Sequence, residues 1–453
     1  MRCLILRIAL AGCLGLAGAG PVGAGGFSIY EASARATGMG CAVTASVDDG
    51  SAPFYNVAAL GFMAPTVIDA NLMPVMPRMR FRRATPPVPA ATGETVTQSF
   101  PIPGGGAVFN PAGKLAYGLG VCAPFGLGVE WRDPQTWTGR FTSYDVDLAT
   151  IYVIPAVCYR ISDQLAVGLG ADIAWQQIEL SRFKGLAFGG NNELVNVVDV
   201  RLQGSSKLNV TPSAGVMYRP NGRWSLGLMY HHHKTMRYKN QDGELTNIAP
   251  DALIAAVDQT LDELAGTPGR RTYRLATELD LPHILSLGAA CRVHPRLLIE
   301  VDAVHFGWSK FAELDLRFSP DPTGSLSTVI PEHYEDRWQW RLGLDFDLAP
   351  RWKLLAGYAR DRTPQPRASM GPLLPDSDRH DWSGGVQYRR GPWRLTASYM
   401  LVHNEERNNL ENGGPAIFAG ERDDPQSVIL KTMEAGTYSS LAHILAFGVG
   451  YHY

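Results

Sequence analysis

Three consecutive histidines, His231-His232-His233, form the densest run of metal-capable side chains in the chain. On a strand, neighbouring side chains point to opposite faces, so at most His231 and His233 share one. Two imidazoles without a nearby cysteine or carboxylate make a poor metal site, and the run reads as a polar edge at a strand end. Cysteine chemistry is equally thin. Leu10 to Cys13 imitates a lipoprotein box, but the apolar stretch before Cys13 is short and broken by Arg7, and apolar residues continue after it. Cys41, Cys122, Cys158 and Cys291 have the spacing of neither a zinc site nor a small disulfide scaffold, and three lie in strand-like segments as small packing residues. There is no Gly-x-Ser-x-Gly elbow, no Walker loop and no recognisable Ser/His/Asn group of an outer-membrane phospholipase. The expectation is therefore no catalytic residue, no metal, no cofactor and no enzyme.

The elements around these residues point to a membrane. The chain has 453 residues, of which 19% are charged, below the roughly 25% of soluble domains. A formal charge of -2 gives no sign of a nucleic-acid partner. Residues 1–24 read as a signal peptide: Arg2 and Arg7, an apolar core from Ile8 to Ala19, and Val22-Gly23-Ala24 for cleavage. Past it no run of 18 apolar residues occurs, so no transmembrane helix is expected. That leaves a secreted soluble protein or an outer-membrane barrel.

Alternation and turns separate the two. In Trp338–Phe346, Trp338, Trp340, Leu342, Leu344 and Phe346 oppose Gln339, Arg341, Gly343 and Asp345. The same two-face pattern recurs in Leu165–Gln176, Trp393–Tyr399 and Leu445–Tyr453. Tight turns at Asn110–Gly113, Ile161–Asp163, Pro220–Gly222, His294-Pro295, Ala349-Pro350 and Arg390–Pro392 alternate with long polar connections, roughly 126–140, 184–200, 239–271, 318–331, 364–378 and 407–437. Tyr218 and Trp224, Phe346 and Trp352, and Tyr388 and Trp393 bracket the short turns, as a periplasmic aromatic girdle requires. These features predict an all-β, antiparallel outer-membrane barrel of about fourteen strands, residues 64–453, behind a compact N-terminal segment, residues 25–63.

The chain resembles the FadL family of long-chain fatty-acid and hydrocarbon transporters, over nearly all of its mature length. The carriers are Gly25–Gly40 (GGFSIYEASARATGMG), Asp48–Leu60 (DDGSAPFYNVAAL), Tyr117–Trp131 (YGLGVCAPFGLGVEW), and the later stretches DQLAVGLGADIAWQQIELSRF and HYEDRWQWRLGLDFDLAPRWKLLAGYARDRTP. One departure is Val57, where the family's Asn-Pro-Ala would place proline after Asn56.

The resemblance implies that residues 25–63 form a hatch inside the barrel, with Phe54, Tyr55, Asn56 and Ala58 in its core motif, and that Phe27 reaches into a ligand pocket. It implies a lateral gate in the third strand, at Pro124, Phe125 and Gly126, since an interior proline cannot join a ladder. It implies a pocket cation at Arg182. The family's second cation, a lysine, falls at Glu335, and Arg337 is the candidate substitute. In the long 239–271 connection, Leu253, Val257, Leu261 and Leu264 share a helical face and are candidates for one wall of an extracellular capture groove. The expected function is passive outer-membrane uptake of a long-chain fatty acid or similar hydrophobic molecule. The expected partners are outer-membrane lipid or lipopolysaccharide and the barrel assembly machinery, with the protein a monomer. A lipid-acting enzyme and a plugged structural or adhesive barrel are the alternatives.

Overall fold

The computed structural model describes residues 26–84, 92–111, 113–188, 193–322 and 327–453; residues 1–24, expected to be a signal peptide, and Gly25 lie outside them. Strands follow one another in antiparallel order: β1 (Thr66–Arg83), β2 (Phe100–Phe109), β3 (Leu115–Cys122 and Gly126–Glu130) and β4 (Asp145–Arg160). Next come β5 (Leu165–Phe188), β6 (Glu193–Ser205 and Asn209–Asn221), β7 (Trp224–His231 and Lys234–Asn247) and β8 (Thr272–Leu281 and Ile284–His294). Then follow β9 (Leu297–Phe306 and Glu313–Ser319), β10 (Thr328–Pro331 and Arg337–Ala349), β11 (Trp352–Asp361), β12 (Arg379–Arg390), β13 (Trp393–Asn404) and β14 (Gly436–His452). β14 pairs back onto β1 from Val67↔His452 to Arg83↔Gly436, which closes a fourteen-strand barrel.

Two-residue periodicity explains the wall. Leu169, Leu226, Leu342, Leu395 and Phe447 are exposed on the outer face, while Asp172, Gln176, Glu300, Asp302 and Arg341, of opposite parity, are buried. An apolar skin with a polar interior is what a closed sheet in lipid requires. Trp224, Trp352 and Trp393 sit exposed beside the short turns, and Trp352 packs on Tyr388 with centroids 4.7 Å apart.

The strands run further than the sequence suggested. β5 has 24 residues, against the roughly 9–11 needed to cross a bilayer. Most of 184–200 is thus a continuing hairpin, and 239–271 begins as strand up to Asn247. Polar composition marked those stretches as loops, yet above the bilayer a ladder needs no apolar face. Within 239–271 the expected helix is present at Ile254–Ala265.

Residues 26–63 carry little regular structure, only the helices α1 (Ala34–Gly38) and α2 (Ala52–Tyr55) and a 3-10 turn at Val57–Phe62. Irregular backbone leaves N–H groups that need partners, and inward-facing wall carboxylates supply them. Asp302 accepts from the Val43 and Thr44 amides at 3.0 Å each, and Asp69 accepts from the Gly50 amide at 2.8 Å. Wall glycines allow the close approach: a Cβ on Gly357 would lie 2.0 Å from the Gly40 nitrogen, and one on Gly104 would lie 2.2 Å from the Ala32 oxygen.

Candidate functional site: a cavity through the barrel wall

β3 breaks at Ala123–Phe125, between its two pieces. β2 pairs with the lower piece from Gly105↔Val121 to Phe109↔Tyr117, and the upper piece, Gly126–Glu130, pairs with β4 alone. Among the described residues no ladder joins Phe100–Gly104 to Gly126–Glu130. The gap is bounded above where the Val96 amide donates to the Glu130 carbonyl at 2.9 Å and Thr95 bridges Trp131. Proline explains the break: Pro124 has no N–H for the ladder, and Gly126 and Gly128 have no side chains to close the opening. The Phe100 ring instead lies across Gly128, whose Cβ position would be 2.0 Å from its Cζ.

A cavity of about 310 Å³ occupies this gap. It is bordered by Leu148 and Thr150, which point inward from β4, and also by Asp147 and Ala149, which point outward. Lining from both faces of one strand means that the space passes through the wall. The remaining border is mostly apolar: Val75, Met79, Ile102, Leu127, Val402 and, on the inner side, Phe27.

The chain's own leading residues sit at the inner mouth. The Ile29 amide donates to the Pro124 carbonyl at 2.8 Å, and the Gly126 amide donates to the Phe27 carbonyl at 3.0 Å. Ser28 and Phe125 form an isolated antiparallel bridge between these bonds. The ladder bonds that proline removes from β2–β3 are thus partly replaced by residues 27–29. Phe27 is buried among Trp308 (4.8 Å), Phe125 (6.0 Å) and Phe311 (6.0 Å), all edge-on. Gly26 is tied by its amide to Asp376 at 3.0 Å. Burial pushes the Asp376 carboxyl up to about 6, against the opposing pull of the Thr363 hydroxyl, Arg379 and Arg407.

Phe54, Tyr55, Asn56 and Ala58 are buried too. Asn56 is a junction: its Nδ2 donates to the Thr44 and Val216 carbonyls at 2.9 and 3.2 Å, and its Oδ1 accepts from Ala58 at 3.0 Å. This side-chain cap sets the turn at Val57 without the family's proline. His231 is not the exposed strand edge expected from sequence. It is 3% exposed, 2.8 Å from both Asp172 and the Phe54 carbonyl, and Lys234 reaches the same Asp172 at 2.9 Å. An interior carboxylate, far off in sequence, gave no local signal of that placement. Among the described residues the four cysteines are unpaired, as packing residues would be.

The expected cations separate. Arg337 is not free: its Nη2 is paired with Glu335 and its Nε donates to the Thr363 carbonyl at 3.1 Å. Glu335 lies in the connection before the strand that Arg337 opens, so the two do not share a strand face. Arg182 has the parity of inward-facing Gln176 and Leu180, and its Nε has no hydrogen-bond partner among the described residues. Lys184, two residues on, has the same parity, and among the described residues neither cation forms an ion pair; sequence reading missed Lys184, although the i, i+2 spacing was visible. Neither borders the wall cavity, whose lining cation is Arg379. Arg379 is committed to Asp361 at 2.9 Å and to the Tyr30 hydroxyl.

The helix α3 (Ile254–Ala265) buries Val257 and Leu261, with Leu253 and Leu264 packed against the same cluster as Leu245, Tyr273 and Leu275. Arg271 clamps its outer face to Asp258 and Asp262, both at 2.8 Å. The predicted apolar face is present, and in this conformation it is covered. Two carboxyls at the long-loop end, Glu332 and Glu434, are buried as well. Burial raises Glu332 to about 8 and Glu434 to about 7, with Lys431 opposing both.

Comparison with known proteins adds a lineage. The family described as outer membrane protein transport protein (OMPP1/FadL/TodX) matches residues 15–451. A long-chain fatty acid transport protein of Salmonella typhi is 22% identical over 418 residues, 87% of this chain and 92% of that one. A 47 kDa outer membrane protein of Pasteurella multocida is 25% identical over 407 residues, 88% and 91% of the two chains. Among solved structures, a Pseudomonas aeruginosa FadL homologue superposes with a TM-score of 0.77 at 20% identity, covering 94% of this chain and all (100%) of that one. The P. putida toluene transporter TodX gives 0.68 at 15% identity, over 93% and 98%.

Proposed function

Because the chain belongs to the OMPP1/FadL/TodX family of outer-membrane transport proteins for hydrophobic compounds, we propose that it takes up long-chain fatty acids or similar molecules passively, by graded capture and sideways release. In this reading residues 1–24 are the cleaved signal, residues 25–63 the hatch, and residues 64–453 the barrel. Cargo first meets the long-loop end, where Leu253, Val257, Leu261 and Leu264 become a groove wall once α3 lifts from Tyr273. Inside, Arg182 and Lys184 take the acidic head group; Arg182 can hold a carboxylate with two parallel hydrogen bonds. The hydrocarbon chain then enters the cavity at Phe27, displaces residues 27–29 from β3, and leaves through the gap at Pro124, Phe125 and Gly126 into the bilayer.

The observation that carries this reading is the apolar cavity bordered by both faces of β4 and closed on its inner side by Phe27. No energy source is needed. Moving about fifteen methylenes out of water yields roughly 12 kcal/mol gross at about 0.8 kcal/mol each. The test compares a fatty acid with its methyl ester on the purified barrel. Arg182→Gln with Lys184→Gln should weaken acid binding about tenfold or more, the scale of a charge-assisted hydrogen bond at about 1.5–3 kcal/mol, and leave the ester unchanged. Equal losses for both ligands would show that the pair holds no head group.

A further inference from the structure

We propose that the short-turn, periplasmic mouth of the barrel contains a binding site for a small oxyanion, a carboxylate or a phosphate. A second cavity, of about 400 Å³, lies there, separate from the wall cavity. Its border is drawn from the ends of β6 to β11, β13 and β14, beside their short turns, and from Arg35 and residues 45–48 and 62–64 of the leading segment. Six of the bordering side chains are lysine or arginine and two are aspartate.

Ion pairs account for four of the six. Arg35 pairs with Asp48 and Asp345 at 3.3 Å each, Arg394 with Asp48 at 2.8 Å, and Lys353 with Asp345 at 2.7 Å. Arg292 is paired with Asp347 at 3.5 Å. Arg219 and Arg223 have no ion pair among the described residues. Arg223 is exposed at its turn, whereas Arg219 shares the inward parity of buried Ser213, Gly215 and Met217 on β6. Its guanidinium rests over the Phe62 ring, 4.6 Å from the centroid, and its buried Nε has no hydrogen-bond partner among the described residues. Arg35 is only 5% exposed, and its Nη1 is likewise buried with no hydrogen-bond partner among the described residues.

A buried guanidinium N–H left unmatched is costly, and an oxyanion is the ligand whose lone pairs match it. Stacking on Phe62 fixes the plane of the Arg219 fork without using any of its donors. The positive excess also raises the local anion concentration at a mouth with low-dielectric walls. An anion between Arg219 and Arg35 touches wall and leading segment together, so its arrival alters how firmly residues 45–48 are held. The site lies apart from the uptake route, for neither Arg182 nor Phe27 borders it.

The full chain in detergent micelles is titrated with inorganic phosphate, followed by phosphorus NMR line broadening at constant ionic strength in chloride, with acetate as competitor. Saturable broadening is expected, with affinity at least tenfold lower in Arg219→Gln. Competition by acetate would extend the site to carboxylates, and its failure would restrict it to phosphate. Hydrogen exchange at residues 45–48 should change on phosphate addition in the native chain and not in Arg219→Gln. Correct folding of the variant is checked by the mobility difference between heated and unheated samples on a gel. Unsaturable broadening, or equal affinity in a folded Arg219→Gln, overturns the proposal.

Discussion

Replacing Phe27 with alanine isolates the closure of the β3 break. The ring is buried against Trp308, Phe125 and Phe311. Truncating a buried phenylalanine costs about 3–5 kcal/mol. The backbone bonds from Ile29 to Pro124 and from Gly126 to Phe27 remain available, so the loss falls on the local opening of residues 27–29 and not on the barrel. At the lower end, about 3 kcal/mol with about 1.4 kcal/mol per factor of ten, the open fraction rises roughly a hundredfold. Those two amides report it. In hydrogen exchange by mass spectrometry, peptides spanning Ile29 and Gly126 should exchange about a hundred times faster in Phe27→Ala, while β7 amides at Gly227 and Met229 should not change. Exchange at Gly126 within about threefold of the native rate would refute the idea that the ring holds the tail against the strand.

The other perturbations address anchoring and pH. Asp302→Ala strips the acceptor from two amides and the Thr44 hydroxyl and should cost about 3 kcal/mol of segment anchoring. More frequent open-channel events in planar bilayers are expected, and a conductance record like the native one would contradict it. Glu332 is protonated in the folded loops up to about pH 8, whereas an exposed glutamate releases its proton near 4.3. Between those values the unfolded state binds fewer protons, so loop packing weakens as pH rises and the loss is complete above about pH 8. Proteolysis of the long loops should accelerate over that window, and Glu332→Gln should flatten the profile; an unchanged pH dependence in the variant would sink the assignment.

Much of the barrel was legible because its physics is local. Trp338–Phe346 reveals its two faces from period alone, and short turns such as Pro220–Gly222 reveal which end they lie on. Pro124 marked the β3 break for the same reason: a missing N–H is a property of the residue itself. What the sequence concealed depends on partners far along the chain. His231 read as an exposed edge, but its partners are Asp172 and the Phe54 carbonyl. Arg337 read as a free cation until Glu335 was found against it. The upper parts of β5, β6 and β7 read as loops because polar strands above the bilayer carry no apolar stripe. Residues 27–29 pairing with β3 had no sequence signature, since one isolated bridge imposes no periodicity.

A reversible staple at that bridge decides whether the tail must leave β3 for cargo to pass. Ser28 and Phe125 form the wide, non-hydrogen-bonded type of pair, for which Cα atoms lie about 4.5 Å apart, within the reach of a disulfide. Cys41, Cys122, Cys158 and Cys291 are first changed to alanine, Ser28→Cys and Phe125→Cys are introduced, and fatty-acid uptake is followed in cells lacking other carriers. Uptake should stop when mass spectrometry shows the bond formed and return on reduction. Undiminished uptake through the fully cross-linked chain would contradict release through the β3 gap.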